Sequence, residues 1–219
     1  MIQVLKEIYS DISLGPILGF KGGTALYLFY NLPRFSVDLD FDLMDETKKE
    51  VVFQKVGDIV RKYGEVRDER DKYYNLFFLL SYKKNESQLK IEISKRVFGS
   101  SYEPKNYLGI PMLVMKLEDM FAHKLVALLE RHEIANRDIF DIWFLLKGNT
   151  NINWKIVEER TDEKRKEYIK KCVETLKAMS KINILSGMGE LLDEKMKAWV
   201  KVSLLKDTIF LLKLKNETI

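Results

Sequence analysis

Apolar residues recur along the chain with a helical spacing in some segments and with strict alternation in others. At the amino terminus they lie three or four positions apart, which predicts a helix that ends near Gly15 and Pro16. The apolar run 17–20 then predicts a short strand, and a second helix follows to about Asn31 with Thr24 as its N-cap. The chain is therefore predicted to open with a helix, a strand, two glycines and another helix.

Residues 36–43 alternate between apolar side chains on one face and aspartates on the other, which predicts a strand with a row of carboxylates. A helix over 48–63 follows. Three further strands are expected at 65–70, 73–82 and 88–97. We expect the last two to pair as a hairpin across 83–87, and we interpret the aromatic-rich segment 73–78 as sheet core.

Helical periodicity dominates the second half of the chain. It covers residues 115–131, 137–147 and most of 154–215. Hardly any strand signal follows the proline-containing stretch 104–111. We therefore predict an α+β protein, with a mixed sheet and flanking helices in a core domain over residues 1–110 and a helical domain over 111–219.

Composition narrows the class of protein without identifying it. Hydrophobic residues make up 46% of the 219 residues and charged residues 32%, which is typical of soluble globular proteins and argues against disordered or fibrous ones. The formal charge of +4 is too small to indicate nucleic-acid binding by itself. The basic segment 164–171 is interpreted as a solvated helix face, with a grip on a nucleic-acid backbone as the alternative.

Cysteine content and the apolar runs bear on the cellular location. Cys172 is the only cysteine, which excludes an intramolecular disulfide and fits a reducing compartment. The amino terminus lacks the basic start and long apolar run of a secretory signal, and every apolar run is far shorter than the roughly 20 residues of a membrane span. We expect a cytoplasmic protein without a membrane segment.

The row of carboxylates is the first candidate for chemistry. Asp38 and Asp40 lie two positions apart on one strand, which places them on the same face about 7 Å from each other. A divalent cation could bind between them, although the wet face of a half-exposed strand gives the same pattern. Glu92, on the polar side of a later strand, is the third carboxylate, and three carboxylates could hold two Mg²⁺ ions. The alternative is that Lys90 and Glu92 simply face water.

A pair of glycines lies just upstream of these carboxylates. Gly22 and Gly23 precede a predicted helix, whose free backbone N–H groups and positive dipole end suit a phosphate group. Lys21 and Thr24 would add a cation and a hydroxyl for the same phosphates. The alternative is a tight turn that merely needs a positive φ. A phosphate site beside a metal site indicates a nucleotide, and we expect an NTP as the substrate with Mg²⁺ as the cofactor.

Two blocks of motifs resemble a known family. The strings K-G-G-T at 21–24, R-F-S at 34–36 and D-L-D at 38–40 resemble the Gly-Gly and Asp-x-Asp signature of nucleotidyltransferases, with a slightly longer gap between the two parts. The fuller string resembles the AbiEii/AbiGii abortive-infection toxins of type IV toxin–antitoxin systems, in the DNA polymerase beta-like nucleotidyltransferase superfamily. Downstream, Lys124 and the string R-D-I-F-D at 137–141 match a second block of that family in the same order.

The resemblance implies roles for particular residues. It implies that the Gly-Gly-Thr and Asp-x-Asp motifs bind the triphosphate and the metal ion. It also implies that the later Lys and Asp are needed for activity. The candidate nucleotide-binding residues are Lys21, Gly22, Gly23, Thr24, Arg34 and Ser36. The candidate catalytic residues are Asp38, Asp40, Glu92, Lys124 and Asp138, of which the first three also form the candidate metal site.

The helical pattern supports the second block independently of the resemblance. Lys124 lies inside an apolar helical stripe, where its ammonium needs an anionic partner unless it extends past the stripe into water. The helix over 139–146 is apolar nearly all round, which predicts burial of Asp138 and Asp141. Asp141 is interpreted as the structural partner of Arg137, in an i, i+4 ion pair.

Together these observations predict a magnesium-dependent nucleotidyltransferase that moves a nucleoside monophosphate from an NTP to an acceptor hydroxyl and releases pyrophosphate. By resemblance it would be the toxin of a toxin–antitoxin or phage-defence system, with a cognate antitoxin encoded nearby and tRNA or another RNA as the acceptor. The alternatives are a transferase that acts on a small molecule, and a catalytically silent module that binds nucleotide or RNA.

Overall fold

The computed structural model describes residues 1–82, 88–179 and 183–217. The chain forms two compact units. The first, here called the sheet unit, consists of Met1–Asn31 and Phe35–Lys116. The second, the helical unit, consists of Leu32–Arg34 and Leu117–Ile219. The sheet unit is thus interrupted in the sequence by a short segment that belongs to the helical unit.

A mixed β-sheet forms the sheet unit. Its strands are β1 (Leu18–Lys21), β2 (Leu39–Leu43), β3 (Glu65–Asp71), β4 (Asn75–Ser81), β5 (Gln88–Ser94), β6 (Tyr102–Tyr107) and β7 (Ile110–Met115). In the described part of the chain they have the order β3-β4-β5-β2-β1-β7-β6. The pairs β2–β5 and β1–β7 are parallel and the other pairs are antiparallel. The parallel β2–β5 pair places two strands that are distant in the sequence side by side.

Helices pack on the apolar face of this sheet. The helices of the unit are α1 (Ile2–Ser10), α2 (Gly22–Tyr30) and α3 (Lys49–Arg61), the last preceded by a short 3₁₀ turn. The Tyr9 ring of α1 lies 6.3 Å from Phe41, and the Phe53 ring of α3 lies 5.2 Å from Phe78, measured between ring centroids. Because strand side chains alternate, burying the apolar face leaves the polar side chains of β2 and β5 on the opposite face.

The described part of the helical unit contains the α-helices α4 (Leu117–Glu130), α5 (Asn136–Lys147), α6 (Trp154–Thr161), α7 (Arg165–Ala178) and α8 (Glu194–Glu217). Helix α5 packs on α8, where the Trp143 and Trp199 rings lie 4.2 Å apart between centroids. Cys172 is buried on α7, and burial raises the pKa of its thiol to about 12, as expected for an unreactive core cysteine. Within the described ranges, the helices lack the combination of length and apolar sequence that crossing a bilayer requires.

The sequence pattern missed two strands and misplaced one helix start. Strands β6 and β7 contain Pro104 and Pro111, which weaken the strand signal, although proline is tolerated in an edge strand such as β6. The prediction of Thr24 as an N-cap is wrong, because α2 already begins at Gly22 with Lys21 as its N-cap.

The hairpin expected from the second and third of the later strands is confirmed by the antiparallel pairing of β4 with β5. Its predicted turn at 83–87 lies outside the described residues. The interpretation of 73–78 as sheet core holds for Leu76 and Phe78, which are buried. It is wrong for Tyr73 and Tyr74, whose exposures are 85% and 57%.

Candidate active site

The pairing of strands gathers the predicted carboxylates on the polar face of the sheet. In the parallel β2–β5 pair, Asp40 lies opposite Glu92, as the sequence predicted for the third carboxylate. On the other side of β2, Asp40 lies opposite Lys21 of β1. Asp38 immediately precedes β2 and is two positions from Asp40, so it continues the same row.

Four charged side chains form what we call the carboxylate cluster: Asp38, Asp40, Lys90 and Glu92. Lys90 is on β5 two positions before Glu92, and its Nζ lies 3.0 Å from Glu92 Oε2 and 3.6 Å from Asp38 Oδ2. The other Glu92 oxygen, Oε1, accepts a hydrogen bond of 3.0 Å from Asn75 Nδ2. The Lys90 ammonium thus contacts two of the three carboxylates, Glu92 and Asp38, and is also an electrostatic neighbour of Asp40.

Electrostatics in the cluster disfavour the charged form of Asp40. Burial raises the pKa of the Asp40 carboxyl, Glu92 and Asp38 raise it further by charge repulsion, and Lys90 and Lys21 only partly oppose the shift. For Lys90, burial alone would lower the pKa of the ammonium, but the three neighbouring carboxylates outweigh it and raise the pKa. The cluster therefore holds more negative charge than its own lysine neutralises.

Gly22 brings the start of α2 against the cluster. Its φ of +80° lies in the left-handed region that favours glycine. A Cβ at this position would overlap the Asp40 carboxylate oxygen Oδ2. The motif glycine is thus needed both for its backbone conformation and for the close approach of the helix start to Asp40, with the first backbone N–H groups of α2 lying next to the carboxylates.

Thr24 fixes the position of the segment that carries Asp38. Its hydroxyl donates a short hydrogen bond to the Asp38 carbonyl oxygen and lies 3.0 Å from the Ser36 hydroxyl. Thr24 is fully buried and Ser36 nearly so. Both residues were candidates for nucleotide binding, and the structure shows that their hydroxyls join the start of α2 to the Asp-x-Asp segment.

The sequence analysis did not single out a neighbouring polar group on the same face. The Lys21 ammonium pairs with Asp42 at 2.5 Å, and the Tyr102 hydroxyl hydrogen-bonds the other oxygen of the same carboxylate. The Tyr102 ring lies over Gly19, where a Cβ would collide with it. Asp42 is the next member of the alternating aspartate row, so the pattern contained it, but its partner Tyr102 is on β6, which the sequence did not predict.

The residues present fit a magnesium ion that is bound together with a triphosphate. Mg²⁺ in such sites is usually held by one or two carboxylates and by substrate phosphates, with water completing the octahedron. Asp38 and Asp40 supply the two carboxylates, and Asp40 lacks sufficient counter-charge. Within the described part of the chain, no group of three or more His, Cys, Asp or Glu side chains is arranged to hold a metal ion without such a substrate.

Five side chains of the helical unit form what we call the helical ion network: Arg34, Lys124, Arg131, Asp138 and Asp141. Asp141 is fully buried and accepts two hydrogen bonds from Arg34, at 2.6 Å from Nε and 2.7 Å from Nη2. The Lys124 ammonium lies 2.8 Å from Asp141 and 2.7 Å from Asp138. The predicted need of Lys124 for an anionic partner is confirmed, with two carboxylates rather than one.

Asp138 is the less completely satisfied carboxylate of this network. Burial raises the pKa of its carboxyl, but Lys124 and Arg131 outweigh burial, and the pKa is lowered overall. Its Oδ2 accepts no hydrogen bond from the described residues, although Arg131 Nε lies 2.9 Å away, because that N–H does not point at it. The pKa of Lys124 is lowered by burial and raised more strongly by Asp138 and Asp141.

Aromatic and basic side chains lie beyond the ends of β4 and β5 in the sheet unit, and we call them the aromatic patch: Tyr73, Tyr74 and Arg96, which are exposed, and Phe98, which is half-buried. The Tyr73 and Tyr74 rings are 4.6 Å apart and nearly perpendicular. The Arg96 guanidinium lies 5.1 Å from the Tyr74 ring and 5.3 Å from the Phe98 ring. Because Asn75 pairs with Ser94 in the sheet, this patch is at the end of β5 that follows Glu92.

Comparisons with known proteins cover nearly the whole chain. The profile of the family described as nucleotidyl transferase AbiEii toxin, type IV TA system, matches residues 3–207. No curated protein sequence matches the chain. The chain is similar to a crystal structure from H. pylori described as a nucleotidyltransferase, with a TM-score of 0.60 and 23% identity over 99% of this chain and 93% of that one. It is also similar to JHP933 from Helicobacter pylori, with a TM-score of 0.55 and 20% identity over 99% and 94% of the two chains.

Proposed function

The chain belongs to the AbiEii family of nucleotidyl transferase toxins of type IV toxin–antitoxin systems, and from this premise we propose the reaction that it catalyses. It is a nucleotidyltransferase. In the proposed reaction, an acceptor hydroxyl attacks the α-phosphorus of an NTP, a new O–P bond forms, and the bond between the α- and β-phosphates breaks. The acceptor gains a nucleoside monophosphate and loses its proton, and pyrophosphate leaves.

The proposed metal-binding residues are Asp38 and Asp40, which would hold Mg²⁺ together with the NTP phosphates, with Glu92 completing the cluster beside them. When bound, Mg²⁺ supplies charge neutralisation on the phosphates. The observation that carries this proposal is the excess of negative charge in the carboxylate cluster directly against the start of α2. Three carboxylates alone would repel the anionic phosphates of an NTP. A divalent cation bound between the carboxylates and the phosphates would remove this repulsion.

The start of α2 is the proposed cradle for the β- and γ-phosphates. The backbone N–H groups of Gly22, Gly23 and Thr24 have no partner in the preceding turn of the helix, and the helix dipole adds positive potential there. Lys21 contributes a cation that Asp42 holds in place. We assign Ser36 to positioning, since it bonds Thr24 beneath the Asp38 carbonyl.

Lys124 and Asp138 are proposed to take part in the same reaction. Within the helical ion network three cations face two carboxylates, so the network has a net positive charge that suits a phosphate group. Lys124 would stabilise phosphate charge, and Asp138 would orient Lys124 or accept a proton at its unbonded Oδ2. Arg34, a candidate nucleotide-binding residue, is proposed to act through Asp141, whose two oxygens it binds.

We propose a single-stranded end of RNA, such as that of tRNA, as the acceptor. Stacking of bases on exposed aromatic rings, together with arginine, is a common mode of binding for single strands. The aromatic patch offers two exposed tyrosines with Arg96 against one of them, at the end of the strand that carries Glu92. At the start of α7, the exposed basic residues Lys164, Arg165 and Lys166 would add contacts to the phosphate backbone of the RNA.

The family assigns the protein to a toxin–antitoxin system, so we propose a cognate antitoxin as its partner. Its role would be growth arrest or interference with phage, through modification of the acceptor RNA. NTPs and tRNA are cytoplasmic, which makes the cytoplasm the proposed site of action.

The experiment that tests this function follows the label of each α-labelled NTP after incubation with the protein, Mg²⁺ and total tRNA. The label is measured in RNA, in protein and in small molecules. We expect label in RNA from the wild-type protein and none from the double variant Asp38→Ala/Asp40→Ala. If label appeared only in the small-molecule fraction, the acceptor would be a small molecule and not RNA. Nucleotide that binds without any transfer would favour a silent binding module.

A second arm tests the acceptor surface. The variant Tyr73→Ala/Tyr74→Ala should lower label transfer to RNA by about 10-fold or more, because stacking contributes about 1–3 kcal/mol per base. Phe210→Ala, which removes an exposed aromatic ring from α8, is the matched control and should transfer normally. Equal label transfer by the tyrosine variant and the wild-type protein would show that the aromatic patch does not bind the acceptor RNA.

A further inference from the structure

Lys90 occupies an unusual position for a residue of a metal-binding cluster. It projects from β5 between two buried apolar positions, on the same face as Glu92, and its Nζ lies between the Glu92 and Asp38 carboxylates, at 3.0 and 3.6 Å. It is also the strongest favourable charge on Asp40. A cation is therefore already present at the point where the three carboxylates converge.

Both carboxylate oxygens of Glu92 accept hydrogen bonds from neighbouring side chains. One of its carboxylate oxygens bonds Lys90 and the other accepts from Asn75, a residue of β4. A metal ion bound at Glu92 would have to share both oxygens with these two donors, and it would lie next to the ammonium group of Lys90. In this structure Glu92 holds the lysine in place, and Asp38 and Asp40 are the carboxylates that we assign to the ion.

Charge balance leads to the same conclusion. A bound cation favours the charged form of Asp40, and the three ionised carboxylates and the Lys90 ammonium then carry two net negative charges, which a single divalent cation neutralises. A second divalent cation beside Lys90 would bring an ion and an ammonium group into the same small, partly buried space, where like charges repel strongly. The arrangement of the described side chains thus suits one metal ion.

We propose that Lys90 takes the place of the second metal ion, so that this nucleotidyltransferase works with a single Mg²⁺ held by Asp38 and Asp40. This inference rests on the proposed function, because the ion arrives with the NTP. The ammonium group has three N–H donors and contacts two carboxylates, so it can donate to an oxygen of the acceptor or of the α-phosphate. Glu92 and Asn75 are then positioning residues for Lys90.

Counting bound metal ions tests the proposal without relying on turnover. Mn²⁺ replaces Mg²⁺ in the experiment because its free and bound forms differ in electron paramagnetic resonance. The protein is saturated with an NTP analogue whose α–β bridge cannot be cleaved, and Mn²⁺ bound per protein is measured. We expect one ion for the wild-type protein and for Lys90→Arg, and two for Lys90→Met, where the second position is vacated.

A melting curve without metal provides a second readout and a check on folding. Lys90→Met leaves the three carboxylates without their cation, so its melting temperature should fall below that of the wild-type protein and recover when Mn²⁺ is added. Lys95→Met is the matched control, because Lys95 follows β5 directly, is also largely buried, and pairs with Asp71 outside the cluster. Its melting temperature should not respond to Mn²⁺ more than that of the wild-type protein.

The outcomes separate this inference from the proposed function. Two Mn²⁺ ions on the wild-type protein, or one on both the wild-type protein and Lys90→Met, would overturn the role of Lys90 and leave a metal-dependent transferase. No Mn²⁺ bound by any of the proteins, in the presence of bound analogue, would overturn the metal-dependent function together with the inference.

Discussion

The carboxylate cluster of the sheet unit and the helical ion network carry opposite net charges and differ in how completely their charges are paired. In the cluster three carboxylates share one ammonium, whereas in the network two carboxylates share three cations. Burial raises the pKa of Asp40 in the first, and the surrounding cations lower the pKa of Asp138 in the second. The cluster is thus prepared for an added cation, and the network largely satisfies itself and retains a positive charge for an anion.

The same comparison separates residues that serve the reaction from residues that serve the fold. A carboxylate with too little counter-charge lowers the stability of the fold, because a desolvated charge without a partner is unfavourable. Such a carboxylate indicates a functional role. A carboxylate with a bidentate arginine and a lysine, as Asp141 has, is required for the packing around it. Variants of the two kinds should therefore fail in different ways.

Asp40→Asn should have the largest effect on activity. We expect NMP transfer to fall by at least about 100-fold, since replacing even an outer-shell partner of a metal site costs about 10–100-fold. Stability without metal should be retained or should rise, because the variant removes a carboxyl whose charged form is disfavoured by desolvation and by its neighbours Glu92 and Asp38. Label transfer measures the first effect and thermal melting the second. An active Asp40→Asn protein would contradict the assignment of the cluster.

Asp141→Asn should show the reverse pattern. Removing one partner of a buried ion pair costs about 3–5 kcal/mol, because Arg34 and Lys124 then lose their shared anion. Intrinsic fluorescence reports this change selectively, since all three tryptophans of the chain, Trp143, Trp154 and Trp199, are in the helical unit. The urea midpoint measured by fluorescence should fall. An unchanged midpoint would show that the network does not stabilise its unit.

A pair of threonine variants should give smaller effects that again separate the two units. Thr24→Val removes the hydrogen bond to the Asp38 carbonyl and should lower transfer, with a loss of about 1–3 kcal/mol in stability for the unsatisfied acceptor. Thr208→Val is the matched control, because Thr208 is also buried but bonds only the Leu204 carbonyl of its own helix. We expect it to shift the fluorescence midpoint and to leave transfer per folded molecule unchanged.

The smallest expected effect is a difference in pH dependence. The pKa of Asp40 is raised on folding, so its favourable contribution is complete below the unfolded value of about 4 and is lost as the pH rises through its folded pKa. The pKa of Asp138 is lowered, so its contribution is present above about pH 4 and is lost as the pH falls through its folded pKa. Melting curves of metal-free protein should therefore become less pH-dependent above pH 4 in Asp40→Asn and below it in Asp138→Asn. Identical profiles for both variants would contradict the opposite shifts.

Period-two alternation and the spacing of the motifs were enough to predict that the three carboxylates of the cluster lie close together. They placed Asp38, Asp40 and Glu92 on one face of adjacent strands, because side-chain alternation within a strand is a local property. The position of Lys90 among them was not predicted, since it depends on the register between strands that lie far apart in the sequence.

The structural partners of the helical network were beyond the sequence pattern for the same reason. The local spacing could not indicate Arg34, which is 107 positions from Asp141 and binds both oxygens of its carboxylate. Strands β6 and β7 were missed because Pro104 and Pro111 weaken their signal, and with them the Tyr102 contact to Asp42 was missed. Helix α3, whose apolar spacing is local, was predicted closely at 48–63, whereas the predicted end of the first helix near Gly15 is wrong, because α1 ends at Ser10.

The most direct test of nucleotide transfer at the carboxylate cluster compares an NTP labelled at the α-phosphate with one labelled at the γ-phosphate. Each is incubated with the wild-type protein, with Asp40→Asn, and with Asp207→Asn as a control on α8, in the presence of Mg²⁺ and total tRNA. We predict that the α-label enters RNA and the γ-label leaves as pyrophosphate for the wild-type and Asp207→Asn proteins, and that neither occurs for Asp40→Asn. Transfer of the γ-label to any acceptor, or undiminished α-label transfer by Asp40→Asn, would contradict the account.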